Sequence, residues 1–530
     1  MPTATVLNGD SPYPDLAFYN VIDGKQRNSE VKENVTDPRT EESLWDVPIA
    51  SSQDLDDAVD AANRAFKTWK LVSQTERQKV LQDVADCLRA NKDVLAYIHM
   101  KETGKSLIMA STDVEVAALH FEYYKGVTLE DDVQYEDDTV KIVGTYVPIG
   151  VLAAISPWNF PMILSSVKIV SALATGNCVI IKPSPFTPYA TIKFCELAQS
   201  VLPPGVFQAL SGGADLGERI TLHPGIHHVS FTGTVAVGQR ILQNCAKTMK
   251  KVVLELAGNN AAIICEDADL EKVVPSVAYG CFYHGGQVCV ASKRVYVHES
   301  LYEKFMELFI EESKKYSQHN ILYSPLSNLP NFERAKSFIE DCKKNNHNIV
   351  AGGEVSDEKG FWIPPTIVAK PPEESLLVQE EQFAPIAPVL TWSDEDDVIA
   401  RANLDNAGLG ASLYTPDLEK ARRIAQRLES GSVWINRFER PHFGAYFAGW
   451  KLSGFGGELG KHGLYNYCQV QCLHFHKDES YNDSTWAAYE NWIDAASSFL
   501  NAIRARAIEF ILGYNDERKF QALEFASITV

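Results

Sequence analysis

The chain has 530 residues, 45% hydrophobic and 22% charged, the balance of an ordinary globular protein rather than a disordered one, and long enough for two or three packed units. A formal net charge of -20 excludes a sequence-independent nucleic-acid binder, which needs clustered Lys and Arg, and disfavours anionic membrane surfaces. Ten cysteines lie scattered without a CxxC pair, the pattern of reduced thiols in an intracellular compartment rather than of a disulfide scaffold.

The opening MPTATVLNGDSPYPD lacks a basic n-region and a continuous apolar core, so a cytoplasmic protein is expected. No apolar run approaches the roughly 18 residues of a spanning helix, so no integral membrane span is expected. From Ser52, SQDLDDAVDAANRAFKTWK sets Leu55, Val59, Ala62 and Phe66 at helical spacing, and VLQDVADCLRANKDVLAYI continues the style. Around Tyr135 the pattern changes to alternation and then to a continuous β-branched run, which predicts two extended strands and a buried one. Between Val151 and Val290, GVLAAIS, CVIIKPS, HHVSFTG and AAIIC alternate with helical stretches, the sign of parallel strands with crossover helices. A second α/β stretch comes after it. Beyond His476, Tyr489, Trp492, Ile493, Ala496, Phe499, Leu500 and Ile503 share one helical stripe that needs an apolar partner.

Four separated segments carry residues suited to chemistry. In YHGGQVCVASKR, Cys289 is either a small buried hydrophobe or a nucleophile. In ISPWNFP, Asn159 stands at a strand end, where α/β sheets place ligands and where a side-chain amide can donate to an oxyanion. In LELAGNN, Glu255 lies between leucines, as a buried ion-pair partner or as a base whose pKa burial raises. Gly233 to Gly238 is a GxxxxG at a strand-to-helix turn, open to a phosphate but neither the dinucleotide fingerprint nor a P-loop. Lys182, at another strand end, is a solvated lysine or a ribose or phosphate contact.

Together with FTGT, EEQFAP and KLSGFGGELG, these motifs in this order resemble the aldehyde dehydrogenase superfamily over roughly residues 15 to 478. The resemblance implies an α/β fold with a Rossmann-type dinucleotide domain (15–129 and 150–257), an α/β catalytic domain (258–468) and a β-strand oligomerisation arm (130–149 and 469–477). A helical extension, 484–530, exceeds the common family length. By resemblance, Cys289 attacks the aldehyde, Asn159 and the Cys289 N–H hold the oxyanion, and Glu255 activates water to release the acid. The implied cofactor is NAD or NADP, with NAD the commoner partner. Its cleft would draw on Ile155, Ser156, Trp158, Lys182, Ser184, Phe231, Gly233, Thr234, Gly238, Leu256, Glu381 and Phe383. Pro185 stands where NAD-preferring relatives often carry a glutamate, which leaves cofactor choice open.

Phe160, Val167, Val288, Val290 and Phe447 would line the substrate tunnel. Val167 replaces a frequent bulky aromatic, so a widened apolar tunnel for a bulky aldehyde is expected. The segment RFERPHFGAYF would line its mouth. A semialdehyde or betaine-aldehyde dehydrogenase is the alternative within the family, and a non-catalytic binding member the alternative outside catalysis. A small-molecule aldehyde is the expected partner, without nucleic acid or metal, in a homodimer or homotetramer.

Overall fold

The computed structural model describes residues 12–403, 406–439, 442–477 and 484–513. An N-terminal helical layer comprises α1 (Ser52–Trp69), α2 (Gln74–Ala90), α3 (Lys92–Thr103) and α4 (Leu107–Tyr124). Helix α1 starts where Ser51 and Asp54 cap each other reciprocally, the Asp54 N–H donating to Ser51 Oγ at 3.1 Å and the Ser51 N–H to the Asp54 carboxylate at 2.8 Å. The apolar pattern after Val80 reads as one continuing helical style, yet the chain breaks at Asn91. Its backbone leaves helical geometry, at φ -110° and ψ 17°, while its side-chain amide donates to the Cys87 carbonyl. An asparagine that bonds the preceding turn competes with helix continuation, which divides α2 from α3.

One sheet contains β1 (Asn20–Ile22), β2 (Lys25–Arg27), β3 (Val151–Ile155), β4 (Cys178–Lys182), β5 (Phe207–Ala209), β6 (His228–Thr232), β7 (Lys251–Glu255) and a late strand, β15 (Gly454–Phe455). Their order is β2-β1-β5-β4-β3-β6-β7-β15, and β5 through β7 are parallel. The order reverses between β3 and β6, so their carboxyl ends flank the crevice where such sheets take ligands. Strands β3 and β4 are buried at every residue, because helices cover both faces and continuous apolar runs satisfy both. Helix α5 (Pro161–Ala174) comes after β3, and α6 (Val235–Ala246) after β6.

A second sheet contains β8 (Asn260–Ile264), β9 (Ser292–His298), β10 (Asn348–Ala351), β11 (Thr366–Ala369), β12 (Ile386–Trp392), β13 (Gly410–Tyr414) and β14 (Ser432–Ile435), in the order β10-β11-β12-β9-β8-β13-β14. All its pairs are parallel except β10 with β11. Helix α7 (Leu270–Phe282) links β8 to the loop before β9.

Of the described residues, 131–145, 472–477 and 484–513 form a separate compact unit. Asp132–Glu136 pairs antiparallel with Val140–Pro148, which also neighbours Cys468–His476. Lys477 Nζ reaches the Glu136 carboxylate at 2.9 Å. Helix α8 (Ser484–Gly513) occupies the described part of the expected extension. Its Tyr489, Trp492, Ile493, Phe499, Leu500 and Ile503 are exposed. Residues 514–530 of the expected extension lie outside the described residues, as does Arg440 of the tunnel-mouth segment.

Candidate active site

Cys289 sits in the loop between α7 and β9, half-buried. That loop is built from left-handed turns: His284, Gly285 and Gly286 have φ of 51°, 64° and 71°. A Cβ at Gly286 would stand 2.4 Å from the Ala384 carbonyl oxygen, so glycine is required there on both counts. Behind the cysteine, Asn260 at the start of β8 donates through Nδ2 to the carbonyls of Cys289 and Ala291, each at 2.8 Å, and accepts from the Gly410 N–H at 2.9 Å. Gln287 ties the other side down, donating to the His284 and Pro325 carbonyls and accepting from the Ser327 N–H. Among the described residues, no hydrogen bond engages the Cys289 N–H, which leaves it available to an incoming oxygen.

Asn159 lies just beyond β3 and is buried. Its amide donates to the Gln287 carbonyl at 2.9 Å, which fixes the amide plane and leaves its second N–H unspent. The Asn159 carbonyl accepts from His284 Nε2 at 3.0 Å, and His284 Nδ1 lies 2.6 Å from Ser324 Oγ. A carbonyl only accepts, so the ring proton is on Nε2 and Ser324 donates to Nδ1. Burial pushes the His284 pKa well below its ordinary value, which keeps the ring neutral in this role. The histidine that stands where an asparagine is common therefore holds the Asn159 backbone in place.

Glu255 ends β7, buried beside Cys289. Burial raises its pKa above the usual carboxylate range, an effect the Cys289 thiol and the Lys168 ammonium partly offset. Its Oε1 is buried without a hydrogen-bond partner among the described residues, a suitable seat for a water. Burial, with Glu255, Glu439 and Glu381 adding negative charge, pushes the Cys289 thiol well up, so the thiol is protonated at neutral pH and needs a base or a nearby positive charge to react. A buried network lies behind Glu255: Lys168 Nζ contacts both Glu458 oxygens at 3.0 and 3.1 Å and Ser230 Oγ at 3.0 Å, and Tyr467 donates to Glu458 at 2.7 Å. Sequence reasoning missed Lys168, because a lysine inside PMILSSVKIVSALA reads as a solvated break in an apolar helix. It missed the Asn260 and Gln287 anchors too, whose only signal is their adjacency to LELAG and to Cys289.

Across the carboxyl ends of the first sheet, Ile155 and Ser156 are buried at the end of β3, with Ser165 donating to Ser156 Oγ at 2.9 Å. Lys182 and Ser184 are buried after β4. Burial without a carboxylate partner lowers the Lys182 pKa to about 8, and among the described residues the only acceptor near its ammonium is the Pro183 carbonyl at 3.3 Å. Gly233 lies against Phe231, and Gly238 against Leu256; a Cβ at either would approach those side chains to 2.4 and 2.6 Å. Thr234 caps α6 by backbone alone, with no side-chain hydrogen bond, so the first-turn N–H groups stay open. These features suit a dinucleotide: a floor kept bare by glycine, an open helix N-terminus for phosphate and an under-partnered ammonium for ribose hydroxyls.

On the facing side, Glu381 accepts from the Gly258 N–H at 3.3 Å. Burial raises the Glu381 pKa while Lys293 pulls it down, and burial lowers that of Lys293. Phe383 is held at φ 50° and packs edge-on to Trp158, with ring centroids 5.3 Å apart. Its carbonyl accepts from Asn331 at 3.0 Å, a bond that helps maintain the strained turn.

Of the tunnel residues, Val288 and Val290 are buried in one apolar cluster with Phe438, and Phe160 and Phe447 pack on its border with Cys289. Val167 is buried on α5 but outside that cluster.

A half-buried cysteine, an anchored side-chain amide and a buried carboxyl thus lie near the crevice of a dinucleotide-type sheet, an arrangement that suits cysteine-dependent oxidation. A sequence model of the Aldehyde dehydrogenase family matches residues 25–473. The chain is 41% identical over 462 residues to aldehyde dehydrogenase LUC3 of a Fusarium species, covering 87% of this chain and 99% of that protein. It is 35% identical over 454 residues to an aldehyde dehydrogenase of Agaricus bisporus, covering 83% and 91%. Among solved structures, the NAD+ complex of an aldehyde dehydrogenase from Bacillus cereus superimposes with a TM-score of 0.85 at 31% identity, covering 88% and 97%. A betaine aldehyde dehydrogenase from Staphylococcus aureus in complex with NAD+ gives 0.84 at 30%, covering 88% and 99%. The chain belongs to the aldehyde dehydrogenase family, and it is an NAD(P)-dependent aldehyde dehydrogenase.

Proposed function

We propose that this enzyme oxidises a bulky aldehyde to its carboxylic acid with Cys289 as nucleophile, Asn159 and the Cys289 N–H as oxyanion donors and Glu255 as general base. The observation that carries this reading is the convergence of the half-buried thiol, the anchored Asn159 amide and the buried Glu255 carboxyl at one crevice. Sulfur adds to the carbonyl carbon and its proton leaves to a base, giving a thiohemiacetal whose oxygen is held by two fixed N–H donors. NAD(P)+, when bound, accepts the hydride from that carbon, leaving a thioester on Cys289. Glu255 then takes a proton from water as the water attacks the thioester, and the acid departs with the thiol restored. Lys182 and Ser184 would hold the adenosine ribose, the Gly233–Gly238 turn with Thr234 the pyrophosphate, and Trp158, Glu381 and Phe383 the nicotinamide side.

Both NAD and NADP are expected to serve. Position 185 is an exposed proline, so no carboxylate there grips a free 2'-hydroxyl or repels a 2'-phosphate. A cytoplasmic homodimer or homotetramer is part of the same reading, its assembly supported by the exposed edge strand Asp132–Glu136 with Val133 and Tyr135 on the surface; among the described residues no helix is long and apolar enough to cross a membrane. The division into dinucleotide, catalytic and arm domains draws support from the three largest sheets, although β15 of the catalytic range pairs with β7 of the first. The test is reduced-cofactor absorbance with NAD and NADP in parallel against short, long-chain and aromatic aldehydes. Turnover with both cofactors and a preference for the larger aldehydes supports the proposal; no turnover with any aldehyde contradicts it.

A further inference from the structure

Helix α8 carries an apolar face that the proposed chemistry does not use. The family model ends at residue 473, ahead of the helix, so the face is something this chain adds to the shared fold. At 3.6 residues per turn, Trp492, Ile493, Ala496, Phe499, Leu500 and Ile503 lie on one stripe along about three turns. Trp492, Phe499 and Leu500 are 66%, 67% and 64% exposed, so among the described residues no segment of the chain covers them. An apolar patch of this kind marks an interaction surface.

The charges beside the stripe are arranged by half. The opposite face is polar, with Asn491, Asp494, Ser498 and Asn501. Glu490 and Arg504 border the same flank of the stripe, the acid in the N-terminal half of the helix and the base in the C-terminal half. They are 14 residues apart, roughly 21 Å of helix rise, too far to meet within one helix. Arg506 borders the other flank, where Ala488, Ala495 and Ala502 also lie.

We infer that the α8 stripe packs against the same stripe of a second copy of this chain, the two helices antiparallel about a two-fold axis between Ser497 and Ser498. In an antiparallel pair each flank faces the same flank of the partner, which brings Glu490 to the partner's Arg504 and Arg504 to the partner's Glu490. In that register Trp492 stands opposite the partner's Ile503 and Ala496 opposite the partner's Phe499, so a small side chain meets a large ring on both sides of the axis. A parallel pair would face each flank with the other and set Arg504 beside the partner's Arg506, an unfavourable like-charge contact. The antiparallel contact is self-complementary and closes at two chains. A lipid surface is the poorer fit, since the helix has no lysine and the chain carries a net charge of -20. The inference deepens the assembly part of the proposed function and rests on the helix alone.

The test is sedimentation velocity of the full-length protein over a range of concentrations, for the wild type, Phe499→Asp, Glu490→Arg, Arg504→Glu and the double exchange Glu490→Arg with Arg504→Glu. The wild type is expected to assemble. Phe499→Asp places a charge near the centre of the stripe and should weaken association at least about 100-fold, leaving any contact made by the arm strands as a smaller particle. Each single exchange should weaken association by roughly tenfold, and the double exchange should restore it to within about threefold of the wild type. Residues 490 and 504 cannot meet in one helix, so that restoration reports contact between copies. Single exchanges without effect, or a double exchange that does not recover, overturn the antiparallel pair. Assembly unchanged in Phe499→Asp overturns it too and leaves assembly through the arm standing, whereas a wild type that is monomeric throughout overturns both. Co-sedimentation of the wild type with phosphatidylcholine vesicles, lost in Phe499→Asp while particle size without lipid stays the same, assigns the face to lipid instead. If Phe499→Asp does not fold, the exchanges at the surface positions 490 and 504 decide alone.

Discussion

The two large sheets differ in strand order but each has parallel strands on both sides of a reversal point, between β3 and β6 in the first and between β8 and β13 in the second, yet they present opposite ends to the proposed active site. The first contributes residues at or beyond the carboxyl ends of its strands: Asn159 after β3, Lys182 and Glu255 closing β4 and β7, and the Gly233 turn after β6. The second contributes residues ahead of its strands: Cys289 before β9, and Glu381 and Phe383 before β12. Ligands of open α/β sheets gather at carboxyl ends, where loops and helix N-termini open toward solvent. Under the proposed function the first sheet obeys that rule because it would receive the phosphates. The second would have a different task, to hold the proposed nucleophile rigidly against a cofactor bound elsewhere. It would do so through the loop whose Cys289 and His284 carbonyls accept from the side-chain amides of Asn260 and Gln287.

Substitutions at the two edges should therefore fail in different ways. Cys289→Ala, on the second sheet's side, is expected to lower kcat by more than about 10³-fold while cofactor binding by fluorescence titration persists, since it removes the atom that reacts. Asn159→Ala, on the first sheet's side, should lower kcat by about 10² to 10³-fold with a smaller change in KM, because its donor is aimed at charge that develops in the transition state. A loss confined to KM would show that Asn159 binds the ground state instead. Lys182→Met should raise the cofactor KM by about tenfold or more and leave kcat within a few-fold, as expected for a contact far from the reacting atoms. The pH profile offers the smallest and finest distinction. Glu255 serves as a base only when ionised, and burial raises its pKa, so kcat should fall as pH drops through that raised value, by about tenfold per unit below it, and level off above it. An acid limb that persists in Glu255→Gln would assign the titration to another group.

Much of this was legible in the sequence where one residue type does one job in one local pattern. The buried strands announce themselves as unbroken apolar runs such as CVIIK, and α1 by a serine three residues before an aspartate at the head of an amphipathic stretch. Cys289, Glu255 and Asn159 stand out through the order of their motifs, a signal that survives separation along the chain. The hidden part depends on contacts between distant segments. Nothing local marks Lys168 as the buried partner of Glu458, 290 residues later. Likewise His284 reads as a deviation from a motif until its two ring nitrogens are seen between Ser324 and the Asn159 carbonyl. Phe438 lies within a segment of mixed aromatic and basic residues that reads equally well as a solvated loop, and only its backbone bond to Ser276 and its ring packing on Tyr279 fix it against α7.

The most direct test of the two-edge account mixes Glu255→Gln with an aldehyde and cofactor and tracks reduced-cofactor absorbance from the first milliseconds, with intact-protein mass measured on the same mixture. The account predicts a burst approaching one reduced cofactor per site, then slow turnover, and a mass gain equal to the acyl group that maps to the peptide containing Cys289. Steady turnover at the wild-type rate, or a burst without acylation of Cys289, would contradict it.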